Sequence, residues 1–267
     1  MERRAIGITI LLFLQTCTAS LIHHCPASSC GSIPNISYPF RLRGDPLHCG
    51  HMRYELDCEN NATVLTLFSG KYHVHEIDYK RYKIRVSDEG AVEDATCAFM
   101  PRYFLYSANF SQTYIGPGTD PLKLDQFQAS IAYFNCTDPI TDDPRYVAVE
   151  EATGGHVYAV VEDWTNQFGV KDIKVGCQLK VATFANWGTV QDHKSNKKLS
   201  YADIHNMLSH GFWLSWLYVI CEDRCEKGKY CSVVDESAGE VQCDNQLDCR
   251  WVYEANRELL AYISWIV

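Results

Sequence analysis

Between Lys80 and Val86 the chain reads Lys-Arg-Tyr-Lys-Ile-Arg-Val, a strict alternation of cationic and apolar side chains. A period of two is the signature of a β-strand, with Tyr82, Ile84 and Val86 on one face and Arg81, Lys83 and Arg85 on the other. Along such a face the charges repeat every ~6.8 Å. Each guanidinium can grip an acid group bidentately. The plainer reading is that charged residues on an exposed strand protect an edge or solubilise a face.

The second group able to do chemistry is the cysteines, of which the 267 residues contain 13. Cys17 falls in an N-terminal leader. Arg3 and Arg4 precede the apolar run Ala5–Leu14, and small residues close it at Thr18, Ala19 and Ser20, which is the layout of a secretory signal peptide over residues 1–20. The run falls well short of the ~20 apolar residues that span a bilayer. Removing it leaves Cys25, Cys30, Cys49, Cys58, Cys97, Cys136, Cys177, Cys221, Cys225, Cys231, Cys243 and Cys249. An even set in an oxidising compartment reads as up to six disulfides. Seven precede residue 200 and five crowd into 221–249, so at least one bridge is expected between the two groups if all pair internally. Zinc competes for the 221–249 cluster, but secretion favours a small disulfide-stapled module loosely like an epidermal-growth-factor repeat. No metal or cofactor is expected. Four sequons, at Asn35, Asn61, Asn109 and Asn135, agree with secretion and mark glycosylation candidates.

The elements that must position these groups are mostly strands. Short runs rich in Val, Ile, Tyr and Thr are punctuated by Gly, Asp and Asn, which suggests antiparallel β structure. Thr63–Phe68, Ser69-Gly70 and Lys71–His75 read as a hairpin. Further strands are expected at Tyr146–Val149, Val157–Glu162 and Gln178–Phe184. One helix stands out: Ser200 caps it, Asp203 sits three residues on, Gly211 ends it, and Ile204, Met207 and Leu208 form its apolar stripe. Met207–Cys221 reads as that helix's end followed by a buried strand. The fold class expected is mainly β: a disulfide-rich extracellular antiparallel domain, then a small cysteine-rich module, with one or two short helices.

Composition excludes several functions. Net charge is −9 with a pI near 5.5, which argues against general nucleic-acid binding. The acid excess is concentrated in residues 111–249, with twenty Asp or Glu against eleven Lys or Arg, whereas residues 21–110 carry ten against nine. A local basic face therefore fits the N-terminal half. No His-Glu-x-x-His motif and no Gly-x-Ser-x-Gly elbow occurs. A glycoside hydrolase would need two carboxylates flanking a cleft, and Asp142-Asp143 and Glu150-Glu151 are the conspicuous pairs, though adjacent carboxylates more often line a solvated loop. His73 and His75 read as surface or core residues of a strand rather than ligands. The expectation is a non-enzyme.

Ordered strings in the first half carry a resemblance: Cys30-Gly31, Ile36-Ser37-Tyr38-Pro39-Phe40-Arg41, Cys49-Gly50, Tyr54-Glu55-Leu56-Asp57-Cys58-Glu59, Gly70-Lys71-Tyr72-His73-Val74, Ile84-Arg85-Val86 and Cys97. This run resembles the galacturonan-binding domain of plant wall-associated receptor kinases, nearest to the leaf-rust-resistance receptor-like kinase branch. Tyr201-Ala202-Asp203 and Gly211-Phe212-Trp213-Leu214-Ser215-Trp216, leading into the cysteine cluster, are similar to that branch's C-terminal wall-associated module.

The resemblance implies a galacturonan-binding-like β domain at 21–145, a C-terminal cysteine-rich domain at 146–249, and a tail at 250–267 that reads as a truncated membrane segment or a hydrophobic end. It implies an extracellular protein, at the cell wall or the outer face of the plasma membrane, that senses the wall or serves defence by binding pectic polysaccharide. It also implies a membrane helix and a kinase beyond Val267, so the chain is expected to be either an ectodomain-only member or a receptor cut short. Membrane attachment is expected only in the second case. The ligand implied is a polyanion, galacturonan, and the candidate binding residues are Arg81, Lys83 and Arg85, with Arg41, Arg43, Arg53 and Lys71 secondary. Tyr38, Phe40 and Tyr72 are candidate sugar-facing aromatics, with core packing the favoured role for Tyr38 and Phe40, which flank Pro39. The rival reading is an ectodomain that perceives a protein or peptide.

Overall fold

Local alternation becomes sheet along most of the chain that keeps it, and the departures fall where the charged residues gather. The computed structural model describes residues 25–91, 100–110, 122–125, 128–149, 155–162, 168–186, 199–226 and 230–244. The leader with Cys17, Cys97, Glu150-Glu151, Cys249 and the tail 250–267 lie outside the described residues.

In chain order, β1 (Ser28–Cys30) and β2 (Ile33–Ile36) make a small hairpin. β3 (Arg41–Leu42), β4 (Glu55–Glu59), β5 (Ala62–Leu67), β6 (Gly70–Asp78), β7 (Lys83–Asp88) and β8 (Lys123–Leu124) follow. β9 (Gln128–Cys136), β10 (Val147–Ala148), β11 (His156–Glu162) and β12 (Cys177–Asn186) form a four-stranded sheet in the order β10-β11-β9-β12. Helix α1 (Tyr201–His210), β13 (Phe212–Ser215), helix α2 (Leu217–Arg224) and the hairpin of β14 (Tyr230–Asp235) and β15 (Glu240–Asp244) complete the order. The larger sheet runs β3-β4-β5-β6-β7-β13-β8, so a strand from beyond residue 210 sits in its interior. Its β3–β4 pair is parallel, and every other described pairing is antiparallel. Among the described residues the chain is thus mainly β, disulfide-rich, with two short helices, as expected.

One face of the seven-stranded sheet is apolar. Leu56, Leu65, Tyr72, Val74, Ile84, Val86, Phe212 and Leu214 are all buried on it, each contributing roughly 1.5–3 kcal/mol of transfer free energy. Trp216 completes this core inside a cage of Phe40, Tyr79 and Tyr82, with ring centroids 5.0–5.6 Å away in edge-to-face geometry. Tyr72 and Phe40 therefore serve packing; alternation puts Tyr72 on the core side, so it faces no sugar.

Two local readings shift. The strand read from Lys80 begins at Lys83, because the Asp78 carboxylate accepts the backbone N–H groups of Lys80 and Arg81 (2.9 Å each) and bends the chain into a turn. The hairpin turn falls on Phe68-Ser69, with φ of 47° and 70° as a type I′ turn requires, and Gly70 opens β6. Gly70 is glycine for space: a Cβ there would lie 2.8 Å from the Tyr103 ring.

Helix α1 follows its sequence signals closely. Ser200 and Asp203 form the reciprocal cap, with Ser200 Oγ accepting from Asp203 N (3.2 Å) and Asp203 accepting from Ser200 N (2.8 Å). Ile204, Met207 and Leu208 are buried with Ile131, Ala159 and Val181 of the four-stranded sheet. The strand expected after it is β13, and a second helix, α2, then carries Cys221.

Ten of the cysteines form five disulfides: Cys25–Cys49, Cys30–Cys58, Cys136–Cys177, Cys221–Cys231 and Cys225–Cys243. Each joins cysteines of one group, so the expected bridge between groups concerns Cys97 and Cys249, outside the described residues. The last two bridges tie the β14–β15 hairpin to α2, and the Tyr82 hydroxyl donates to the Gly239 carbonyl at the hairpin's tip. Among the described residues no helix is long and apolar enough to cross a membrane.

Gly211 joins α1 to β13 at φ +76°, where a Cβ would stand 2.0 Å from the Val86 carbonyl oxygen. Gly211→Ala should therefore destabilise the fold by about 2 kcal/mol or more. Urea unfolding of the two proteins measures this directly.

Candidate functional site

The charged residues lie on the face opposite the core. On β6 the residues between the buried Val74 and Ile77, which faces Ile84, number two instead of one, because a bulge interrupts the β6–β7 register there. His75 and Glu76 thus both leave the core side and stand opposite Arg85. On the other flank of β7, Trp213 is the register partner of Arg85. Phe212 and Leu214 enter the core, so alternation leaves Trp213 half-buried on the charged side.

Trp213 organises the cations. The guanidinium carbons of Arg81 and Arg85 each lie 5.6 Å from its ring centroid, within cation–π range. Arg81 occupies the turn rather than the strand, yet its side chain returns to the same ring. Lys83 completes the group from β7. The structure brings Arg81 and Arg85 together over an aromatic that the sequence showed only as part of a family string, with Lys83 two residues before Arg85 on β7. The signal was available: Phe212-Trp213-Leu214-Ser215-Trp216 alternates, and it sets a Trp beside a Ser on the polar face.

Each of these cations is partly neutralised. Arg81 pairs with Asp78 (2.6 Å), Lys83 with Asp125 (2.9 Å), and Arg85 with Glu76 (3.5 Å) while donating to the His210 carbonyl (2.9 Å). Burial alone would raise the Asp78 carboxyl, but hydrogen bonds from Arg81 and Lys80 outweigh it and hold the group below the usual carboxylate range.

The secondary candidates are elsewhere. Arg41 is only 4% exposed, bound to Glu55 and to the carbonyls of Leu42 and Asp45, so it builds the fold rather than presenting charge to a ligand. Arg43 is exposed but bridges Glu55 and Asp57 on β4, and Lys71 pairs with Glu59 on the same strand. β4 is three strand spacings, about 14 Å, from β7. Arg53 lies in the short turn Met52–Tyr54. Tyr38 is exposed, contrary to the core packing expected of it, and its hydroxyl donates to Asp223 of α2 (2.6 Å).

Beside the Trp213 group an open cleft of about 540 Å³ lies over β6 and β7. His73, His75, Arg85 and Ser87 line it from the sheet, and His210 from the end of α1. His75 Nε2 meets Ser87 Oγ at 2.7 Å, and burial, reinforced by Arg85, pushes the imidazole down to about 4. At neutral pH His75 is therefore a hydrogen-bonding group and not a charge. Asn61 stands exposed at the rim, as Asn35 does on β2; Asn109 caps the Tyr106 backbone N–H, and Asn135 lies within β9.

The adjacent carboxylates Asp142 and Asp143 offer little acid–base chemistry. Asp142 and Asp143 are held below the usual range by Lys174 and Arg145 respectively, the opposite of what a general acid needs. Among the described residues one group, Cys25, His48 and Cys49, brings metal-ligand atoms together, but its two sulfurs are bonded to each other and supply no thiolate.

A disulfide-stapled sheet with a cationic, Trp-centred outer face fits a binding module. Residues 25–88 match the family model described as wall-associated receptor kinase galacturonan-binding. The chain is similar to three Arabidopsis thaliana proteins of one set. It is 26% identical to leaf rust 10 disease-resistance locus receptor-like protein kinase-like 2.1 over 57% of this chain and 24% of that protein. It is 27% identical to the 2.5 protein over 45% and 19%, and 26% identical to the 1.2 protein over 74% and 29%. The match thus spans less than a third of each relative's length, and the resemblance read from the sequence is borne out. No solved structure matches the chain.

If Arg41 is structural, Glu55→Gln should destabilise the protein by roughly 1–3 kcal/mol by leaving a buried charge short of its partner. Thermal melting should show the loss.

Proposed function

We propose that this chain is a non-catalytic extracellular ectodomain of the receptor-like kinase type that binds pectic galacturonan, in wall sensing or defence. The observation that carries the reading is the pair of guanidiniums, Arg81 and Arg85, laid against one half-exposed Trp213 with Lys83 beside them, in a chain whose residues 25–88 match a galacturonan-binding family model. Planar cations offer bidentate contacts to uronate carboxylates, and an indole face offers apolar surface to a sugar ring. The regions 21–145 and 146–249 act together in this reading, because β13 of the second stands beside β7 of the first. Secretion, cleavage after the leader, and glycosylation at the exposed Asn35 and Asn61 belong to the same proposal.

One observation favours a protein- or peptide-perceiving ectodomain instead: Arg81, Lys83 and Arg85 each already hold a carboxylate. A polyanion must exchange with Asp78, Asp125 and Glu76, which favours ligands of many weak contacts.

The secreted chain should bind de-esterified oligogalacturonides with an affinity that falls as salt rises. Absence of binding at low salt, with or without calcium, would refute the proposal. Arg81→Ala/Lys83→Ala/Arg85→Ala should weaken binding by about tenfold or more, since three charge-assisted contacts are lost. Arg43→Ala, on the far side of the sheet, should leave it unchanged. Pectin incubated with the protein should keep its chain length; shortened products on a sizing column would point to an enzyme.

A further inference from the structure

Arg85 belongs to two surfaces at once: its guanidinium lies over Trp213, and it also lines the cleft beneath His73, His75 and His210. At about 540 Å³ the cleft is of small-molecule size, within the range of roughly 300–1,000 Å³ usual for such sites. Its far rim is formed by Gly31 and Ser32 of the β1–β2 hairpin and Asn61 of the β4–β5 turn, which pack so closely that a Cβ on Gly31 would stand 2.1 Å from the Asn61 carbonyl oxygen. On the opposite side, Arg85 leads onto Trp213 and Arg81.

We propose that this cleft is a subsite for one uronate unit of an acidic oligosaccharide, whose carboxylate replaces Glu76 on Arg85 while His73, His75, His210 and Ser87 hold its hydroxyls. The inference rests on the galacturonan reading and deepens it from a charged face to a defined subsite. Three features support the exchange. The Arg85–Glu76 contact, at 3.5 Å, is long for an ion pair, and the Glu76 side chain is 44% exposed. The bulge in β6 sets both Glu76 and His75 opposite Arg85, so a displaced Glu76 leaves a guanidinium flanked by a hydrogen-bonding ring. The charged and titratable groups facing Arg85 are Glu76, His73 and His75 from β6 and His210 from α1. With His75 neutral at ordinary pH, Arg85 supplies the charge for one carboxylate.

Calorimetric titration of the secreted chain with a de-esterified galacturonate trimer, D-galacturonic acid, its methyl ester and galactose tests this. Glu76→Gln removes the resident competitor and should tighten trimer binding about two- to fivefold, a gain that misfolding cannot produce. His75→Ala and His210→Ala should weaken it by a similar factor with melting temperature unchanged. Galacturonic acid should compete with the trimer, whereas the ester and galactose should not. If Glu76→Gln and both histidine variants leave trimer affinity unmoved while Arg81→Ala/Lys83→Ala lowers it, the cleft subsite is wrong and the galacturonan reading stands. If the wild-type chain binds neither trimer nor polymer at low salt, both fall.

Discussion

The pairing of Phe212–Ser215 with β7 is the constraint on which the rest of the molecule turns. Through it Trp213 meets Arg85 and Arg81, Phe212 and Leu214 extend the core beyond β7, and Trp216 reaches its aromatic cage. The pairing is demanding, because the chain must leave α1 and turn into the sheet against the Val86 carbonyl. Gly211 makes that possible: it ends the helix at positive φ and presents only hydrogen where any larger residue would collide. One residue without a side chain thus sets the place of the most conspicuous side chain on the charged face.

The charged face itself shows how a sheet can keep many cations on an acidic protein. Asp78, Asp125 and Glu76 hold Arg81, Lys83 and Arg85 in defined positions, so the face is ordered before any ligand arrives. Exposed pairs of this sort add little to stability. Their effect is positional: guanidiniums pinned near one indole ring lose less freedom on binding than free ones would. The same carboxylates raise the threshold for an incoming anion, which suits repeated, reversible contacts better than one tight one.

How much of this was legible depended on the range of the signal. Helix α1 was readable end to end because Ser200, Asp203 and Gly211 act within a few residues of one another. The alternation Lys83–Val86 was equally local, and it gave both the strand and its faces. The turn at 79–82 was hidden, since Arg81 continues the alternating pattern and only the Asp78 carboxylate bends the chain. The bulge at His75 and Glu76 was also hidden, because register is a property of two strands, and neither sequence alone shows where one gains a residue. Trp213 was visible as an aromatic on a polar face, but its partners lie more than 120 residues away. The burial of Arg41 likewise depends on Glu55 arriving beside it from β4.

The Tyr82–Gly239 hydrogen bond and the two C-terminal disulfides have a mechanical meaning. Tension applied to the chain beyond Asp244 would not unzip the β14–β15 hairpin strand by strand, because Cys243 passes the load covalently to Cys225 at the end of α2. From there it runs through eight helical residues into β13, and so into the strand that carries Lys83 and Arg85. The hairpin tip meanwhile rests on the turn that holds Arg81. Force on the C-terminal side and contact at the charged face are thus in series.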